Sequence, residues 1–453
     1  MSPLRRLTAL GTVLGLGAVL GLGALPATAA QAAPGGYTPG ANEWWMTSWA
    51  VPQQVWPLTE GAGVTVAVVD SGVQASIPDL RGAVLRGGDV IGYAGSGDID
   101  YATYSDSGRD GHGTAVAVTI AGQGYGTGTV GIAPRAKILP VHVLYPLLSN
   151  GPAHIAAGID YAVKHGAKVI NVSLGGPAPS ALSCDPVLQD AVAYADAHNV
   201  VVVAAAGDTN LGGTGPEEPA SCAGVLAVGA VSQNSTLWPN STRAPYVSVV
   251  APGDHIVYVG SDGRYDTVGD GTSFSSPLVA GAAALIRSRY PSMPWYQVVQ
   301  RLIGTAIHID TPVPSNAYGY GVIDIAKAVN AAKFAVTASS PNPVYARYLS
   351  WLRSSSGRAW AKANGVKVAA ATPGPKSAKA ASTGKSSAPA TGSGGLSTLL
   401  IVVIVVVVVL IAAVIALIVR SRNRSRRGPR GPGGGYGPPA YSPPGDPYQY
   451  PRH

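Results

Sequence analysis

The sequence predicts an α/β chain: a three-layer α/β/α domain on a mostly parallel sheet, followed by one C-terminal transmembrane helix. Three observations carry that expectation. Continuous β-branched runs alternate with helical stretches in the first part of the domain, helices dominate its later part, and Leu396–Val419 holds 24 residues without a charge.

The N-terminal end reads as a secretory signal. Arg5 and Arg6 precede an apolar stretch, Leu7 to Leu25, broken only by Gly and Thr, and Ala27-Thr28-Ala29 or Ala30-Gln31-Ala32 offers a small-residue cleavage site. Residues 1–32 are therefore expected to be removed on export. Residues 33–62 form an extension dense in tryptophan (Trp44, Trp45, Trp49, Trp56), which predicts a segment docked on the domain rather than a free arm. From Gly63 the texture changes. Val64–Val69 is a β-branched run of the kind that forms a strand buried on both faces, and Ala136–Val143, Val169–Val172 and Val200–Ala204 resemble it. Helical stretches at Ile155–His165 and Pro186–His198 lie between these runs, which is the alternation of a parallel sheet. Pro277–Tyr290, Gln297–Ala306 and Ile323–Ala332 add three more helices and close the domain near residue 333.

Residues 334–395 shift to Ala, Ser, Pro, Lys and Gly and read as a linker, with a surface helix over Val344–Ala361 and a flexible spacer from Ala369. Residues 396–419, at 1.5 Å per residue, reach about 36 Å, enough to cross a hydrocarbon core of roughly 30 Å. Arg420, Arg422, Arg424, Arg426, Arg427 and Arg430 follow and mark the cytoplasmic side, so the residues before Leu396 are expected outside the cell membrane. The tail, 420–453, is basic and then rich in Pro, Gly and Tyr, and cannot bury a core.

The net charge of +8 divides unevenly. Residues 34–332 hold 13 basic and 22 acidic side chains, or −9, and the remainder carries +17. The excess of positive charge belongs to the tails, where it suits anionic lipid and gives no argument for nucleic acid. The two cysteines, Cys184 and Cys222, suggest one disulfide in an exported chain, with two unpaired buried thiols as the alternative. No Cys/His metal spacing or cofactor motif appears.

Three segments carry chemistry. Asp70 ends a buried strand in Val68-Val69-Asp70-Ser71-Gly72. His112 stands between glycines in Asp110-Gly111-His112-Gly113-Thr114, ahead of an apolar helix. Ser273 enters a helix in Gly271-Thr272-Ser273-Phe274-Ser275-Ser276-Pro277. A serine hydroxyl is a weak nucleophile; it needs a base within hydrogen-bond reach, and the base needs an acid that fixes its tautomer. At a helix start the serine also sits among free backbone N–H groups suited to an oxyanion. Asp106 and Asp110 also lie near His112 but read as surface or turn residues.

These segments resemble, in order, the three signatures of the subtilisin-like serine proteases. Gly131-Ile132-Ala133-Pro134, Ser173-Leu174-Gly175-Gly176 and Tyr318-Gly319-Tyr320-Gly321 extend the likeness, which covers roughly Gly61 to Ala332. The resemblance implies a subtilisin-like fold and a serine endopeptidase with Asp70, His112 and Ser273 as its triad. It implies that Ser173, Leu174 and Gly175 pair with an extended peptide, and that Ala204, Ala205, Ala206 and Gly207 back the primary specificity pocket. The signal, linker, single span and short basic tail are similar to the layout of the mycosins, the proteases of type VII secretion systems. Too few residues separate Ala32 from Asp70 for the folding propeptide usual in secreted subtilisins. The likeness implies protein substrates, a membrane setting and type VII membrane subunits as partners.

One position departs from the family. An Asn that donates to the oxyanion usually follows the Ala-Ala-Gly run, and Asp208 stands there. Three readings stay open: a protonated Asp208 that donates, Asn210 as substitute, or a slow or tightly restricted protease, the last being favoured. The rival to an enzymatic role is a mainly structural component of a secretion complex with weak or dispensable proteolysis. A general scavenging protease fits poorly with an anchor and spacer.

Overall fold

The computed structural model describes residues 36–92, 111–143, 151–209, 215–265, 269–337, 340 and 342–368. Nine strands occur among them: β1 (Thr65–Asp70), β2 (Gly88–Asp89), β3 (Lys137–His142), β4 (Val169–Val172), β5 (Gly176–Pro177), β6 (Val201–Ala205), β7 (Glu217–Glu218), β8 (Leu226–Val231) and β9 (Val247–Pro252). Seven form one sheet in the order β2-β3-β1-β4-β6-β8-β9, with every neighbouring pair parallel. β5 and β7 form a separate antiparallel ribbon.

Alternation along the strands explains the layers. In β1, Val66 and Val68 turn to one face while Ala67 and Val69 turn to the other, and both faces are buried. The second face is covered by α3 (Pro152–Lys164) and α4 (Pro186–Ala197), through Ile155, Ile159, Leu188 and Val192. The first is covered by α2 (His112–Ala121) and α5 (Thr272–Arg289), with α6 (Trp295–Gly304) and the short α7 (Ile325–Val329) beside them. The result is the expected three-layer α/β/α domain. α5 is buried almost all round, which accounts for its near-continuous apolar sequence.

The Trp-rich extension lies on this domain. It forms α1 (Trp44–Ser48) and a π-helical turn over Val51–Val55 that packs on α7, and Trp45, Met46, Val51, Val55 and Trp56 enter the core. Glu43 fastens it: its carboxyl accepts the Val130 N–H at 3.1 Å and the Gly40 N–H at 2.6 Å. Burial pushes this carboxyl up to about 8, although the backbone donors oppose the shift. The folded chain thus holds a proton that the unfolded chain releases near pH 4.5, and stability contributed by Glu43 falls as pH rises across that window. Urea unfolding at pH 5 and pH 8 should show wild type losing more stability on going to pH 8 than Glu43→Gln does; equal losses would mean that Glu43 keeps ordinary acidity in place.

The first part of the linker expected from residue 334 is folded. α8 (Pro343–Leu352) and α9 (Ser355–Ala363) pack on the domain, burying Val344, Tyr348, Leu352, Trp360 and Ala361 in the main core. Tyr345 and Tyr348 stand edge-on to Trp295 of α6. Two amphipathic helices separated by Ser354, which caps the second through the Gly357 N–H, replace the one surface helix. The signal, the spacer from 369, the span 396–419 and the tail lie outside the described residues, as do Asp106, Asp110 and Asn210. Among the described residues no helix is long and apolar enough to cross a membrane.

Candidate active site

Asp70 is the last residue of β1, the strand from which the sheet grows in both directions, with β3 and β2 on one side and β4 onward on the other. In open parallel sheets, sites form at the carboxyl ends of strands beside such a reversal. Asp70 is fully buried. Its Oδ1 accepts the Ser71 N–H at 2.8 Å and lies 2.7 Å from His112 Nδ1. His112 opens α2, which is held against the end of β1 by the Gly113 N–H donating to Ser71 Oγ at 3.0 Å. The imidazole is one-third exposed, so it faces both the buried acid and solvent.

Ser273 is the second residue of α5. Gly271 before the helix has φ 154°, a backbone conformation that glycine tolerates and other residues rarely adopt. A Cβ there would lie 3.1 Å from Ser273 Oγ and 2.9 Å from Asp208 Oδ2, so the absent side chain leaves open the space between those two atoms. Pro277 in the helix interior has no N–H to give the carbonyl four residues back, which is that of Ser273. Ser173 supplies the donor: its Oγ bonds to the Ser273 carbonyl at 2.9 Å and lies 2.9 Å from Ser276 Oγ. The side chain of Ser173 thus fixes the backbone of the serine from below. The stretch Ser173–Gly175 pairs with no strand among the described residues.

Asp208 follows the end of β6. Its Oδ1 accepts from the Thr272 N–H at 2.9 Å and from Thr272 Oγ1 at 2.7 Å. Those bonds aim Oδ2 towards Ser273. Burial raises the carboxyl above its ordinary range, opposed by the Thr272 donors and by the nearby charge of His112. Gly207 N–H donates to Thr272 Oγ1 at 3.1 Å, which ties the Ala204–Gly207 strand end to the start of α5. Thr272 was not among the sequence candidates. Its place before the serine was the only signal, and its work as a splint shows only in three dimensions.

Cys184 and Cys222 form a disulfide, with Cα atoms 4.9 Å apart across a separation of 38 residues. The bridge joins the residue before the Asp185 cap of α4 to the segment that follows β7. Closing a loop of that length restricts the unfolded chain by about 4 kcal/mol. Cys184→Ser/Cys222→Ser should therefore lower the unfolding free energy by about 3–4 kcal/mol in denaturant titrations; an unchanged midpoint would show that packing alone holds the loop.

Comparison with known proteins bears on this geometry. A family model described as the subtilase family matches residues 61–321. The chain belongs to the subtilase family. Subtilisin DY of Bacillus licheniformis is 38% identical to this subtilase over 273 residues, covering 59% of the chain and 92% of the relative. Thermitase of Thermoactinomyces vulgaris is 39% identical over 236 residues, 52% of the chain and 79% of the relative. Among solved structures, the MycP3 protease from the type VII (ESX-3) secretion system superposes with a TM-score of 0.55 at 32% identity, over 66% of this chain and 91% of the other. MycP1 from Mycobacterium smegmatis does so with a TM-score of 0.55 at 29% identity, over 65% and 86%. The likeness to mycosins expected from the sequence therefore holds against the solved structures. As a subtilase with these relatives, the chain is a serine endopeptidase.

Proposed function

We propose that this subtilase is a membrane-anchored protease of the outer cell surface that processes substrates of, and supports, a type VII secretion system, with Asp70, His112 and Ser273 as its catalytic triad. The observation that carries the triad is the 2.7 Å contact between buried Asp70 and His112 at the carboxyl edge of the sheet, where His112 opens α2 and α2 packs against α5, the helix that starts with Thr272 and Ser273. In this reading Asp70 accepts the Nδ1 proton of His112 and holds the other ring nitrogen as base. His112 takes the hydroxyl proton as Ser273 attacks the peptide carbonyl, and returns it to the leaving amine; water then cleaves the acyl-enzyme by the same route. The Ser273 N–H and a protonated Asp208 face the oxyanion. The membrane assignment rests on the uncharged run 396–419 and its arginine flank. The secretion assignment rests on the likeness to MycP1 and MycP3.

Treating membranes that carry the full chain with a fluorophosphonate probe tests the triad. Labelling is expected in wild type and absent in Ser273→Ala; wild-type protein that is folded yet unlabelled would remove the catalytic reading. A structural role in the secretion complex is favoured by one observation, the acidic side chain aimed at the oxyanion space. Ser273→Ala separates the two, because it keeps the structural role and abolishes the other.

A further inference from the structure

The space on the far side of Gly207 is occupied by a carboxyl group with no part in the triad. Glu217, in β7, places its carboxyl between two glycines. A Cβ on Gly207 would lie 2.5 Å from its carboxyl carbon and 2.7 Å from Oε1, and a Cβ on Gly175 would lie 3.5 Å from Oε2. The main chain of Glu217 is fixed by its N–H donating to Tyr246 Oη at 3.0 Å, and the same hydroxyl donates to the Ala206 carbonyl at 3.0 Å. The carboxyl therefore closes the gap between the strand end Ala204–Gly207 and the stretch Ser173–Gly175, both bonded to the first turn of α5. Among the described residues no Lys, Arg or His forms an ion pair with it.

A partly buried carboxylate between two backbone walls, without a cationic partner of its own, is a receptor for a cationic side chain. We propose that Glu217 selects substrates with Arg or Lys on the acyl side of the scissile bond. The proposal rests on Ser273 being the nucleophile. With the carbonyl of that residue over Ser273 and Asp208, its side chain extends across Gly207 to the carboxyl. Arg can meet Glu217 with two parallel N–H bonds; Lys can meet it with one.

The groups that face Glu217 are Asp208, whose N–H donates to the carboxylate while its side chain repels it, and the Tyr246 phenol. The neighbouring Glu218 turns away to accept the Asp185 N–H at 2.7 Å. Burial and Asp208 push Glu217 up to about 7, so the selection should be full at pH 8 and weaken below pH 7 as the carboxyl takes up a proton.

Two measurements on the detergent-solubilised full chain test this. In Ser273→Ala, binding at pH 8 of peptides that differ only in a terminal Arg or Leu should favour Arg by at least about tenfold, a modest share of what a buried ion pair provides. Adding Glu217→Gln should bring the ratio close to one, and lowering the pH to 6 should shrink it. Cleavage of matched fluorogenic peptides by wild type should show the same preference, with Glu217→Gln losing it while fluorophosphonate labelling persists. Equal binding of the Arg and Leu peptides, or a ratio that Glu217→Gln leaves unchanged, overturns the proposal. Selective binding without labelling of wild type would overturn the catalytic reading and, with it, selection at a scissile bond, whereas equal binding with labelling overturns the selection alone.

Discussion

Asp208→Asn raises the turnover of a peptide substrate by about 10²-fold near neutral pH, which is the scale at which one oxyanion donor acts. The argument starts from protons. In the proposed mechanism His112 must be neutral to act as base, and Asp208 must be protonated to donate to the oxyanion. Putting that one proton on His112 instead leaves Asp208 ionised, with the same net charge and neither group in its working form. A proton taken by His112 in place of Asp208 disables both groups at once, so only the arrangement with neutral His112 and protonated Asp208 works. An amide carries its donors at every pH and removes the competition. Wild type should therefore show a narrow bell in its pH–rate profile, with Asp208 ionisation setting the alkaline limb. Asp208→Asn should rise with His112 deprotonation and then stay level through the pH range in which wild type declines. Because the Thr272 N–H and Oγ1 both bond to Oδ1, the amide oxygen can take the same bonds and leave the NH₂ in the place of Oδ2. Steady-state kinetics from pH 5 to 10 on both chains check this. A slower Asp208→Asn enzyme would show that the carboxyl is itself needed.

Trp56→Ala destabilises the domain by about 4 kcal/mol, the largest effect expected of any single core truncation in the extension. The indole is almost fully buried, and its Nε1–H donates to the Ile132 carbonyl at 3.0 Å. Truncation therefore opens a cavity and leaves a buried carbonyl without its donor. Ile132 in turn lies against the face of α5 at Gly281, where a Cβ would come within 2.9 Å of it. The loss is transmitted to the helix that presents Ser273. Trp56→Phe refills most of the volume without the hydrogen bond and should recover about half of the loss. Chemical denaturation of the three chains reads both steps; a loss under 1 kcal/mol for the alanine chain would mean that the extension is a removable cover.

The central parallel strands could be read directly, because a run such as Val64–Val69, buried on both faces, has no need of polar alternation. β8 escaped that reading. Its sequence, Leu-Ala-Val-Gly-Ala-Val, is diluted by Ala227, Gly229 and Ala230, which leave only Leu226 and Val228 in the core on the α5 side. β9 closes on a proline and carries Ser248, which satisfies itself on the Tyr246 carbonyl. The packed state of α8 and α9 was hidden for a different reason. Their composition is that of a linker, and only the placement of Val344, Tyr348, Leu352 and Trp360 on one side of each helix reveals a docking face. In the site, the residues in signature order stood out because glycines frame them. Glu217 did not, because its position between Gly175 and Gly207 depends on the antiparallel ribbon of β5 and β7, two residues a side, which leaves no periodicity to detect.

The bridge between Cys184 and Cys222 encloses β6, Asp208 and Glu217 in one covalent ring, while Asp70, His112 and Ser273 all lie outside it. The carboxyl that would choose the substrate and the triad that would cut it thus occupy separate stretches of chain. Mutations accumulating inside the ring can redirect the protease to new sequences and adjust its speed, and the three residues outside it need not change. A lineage that gains a new protein substrate has a short, stapled cassette in which to adapt to it.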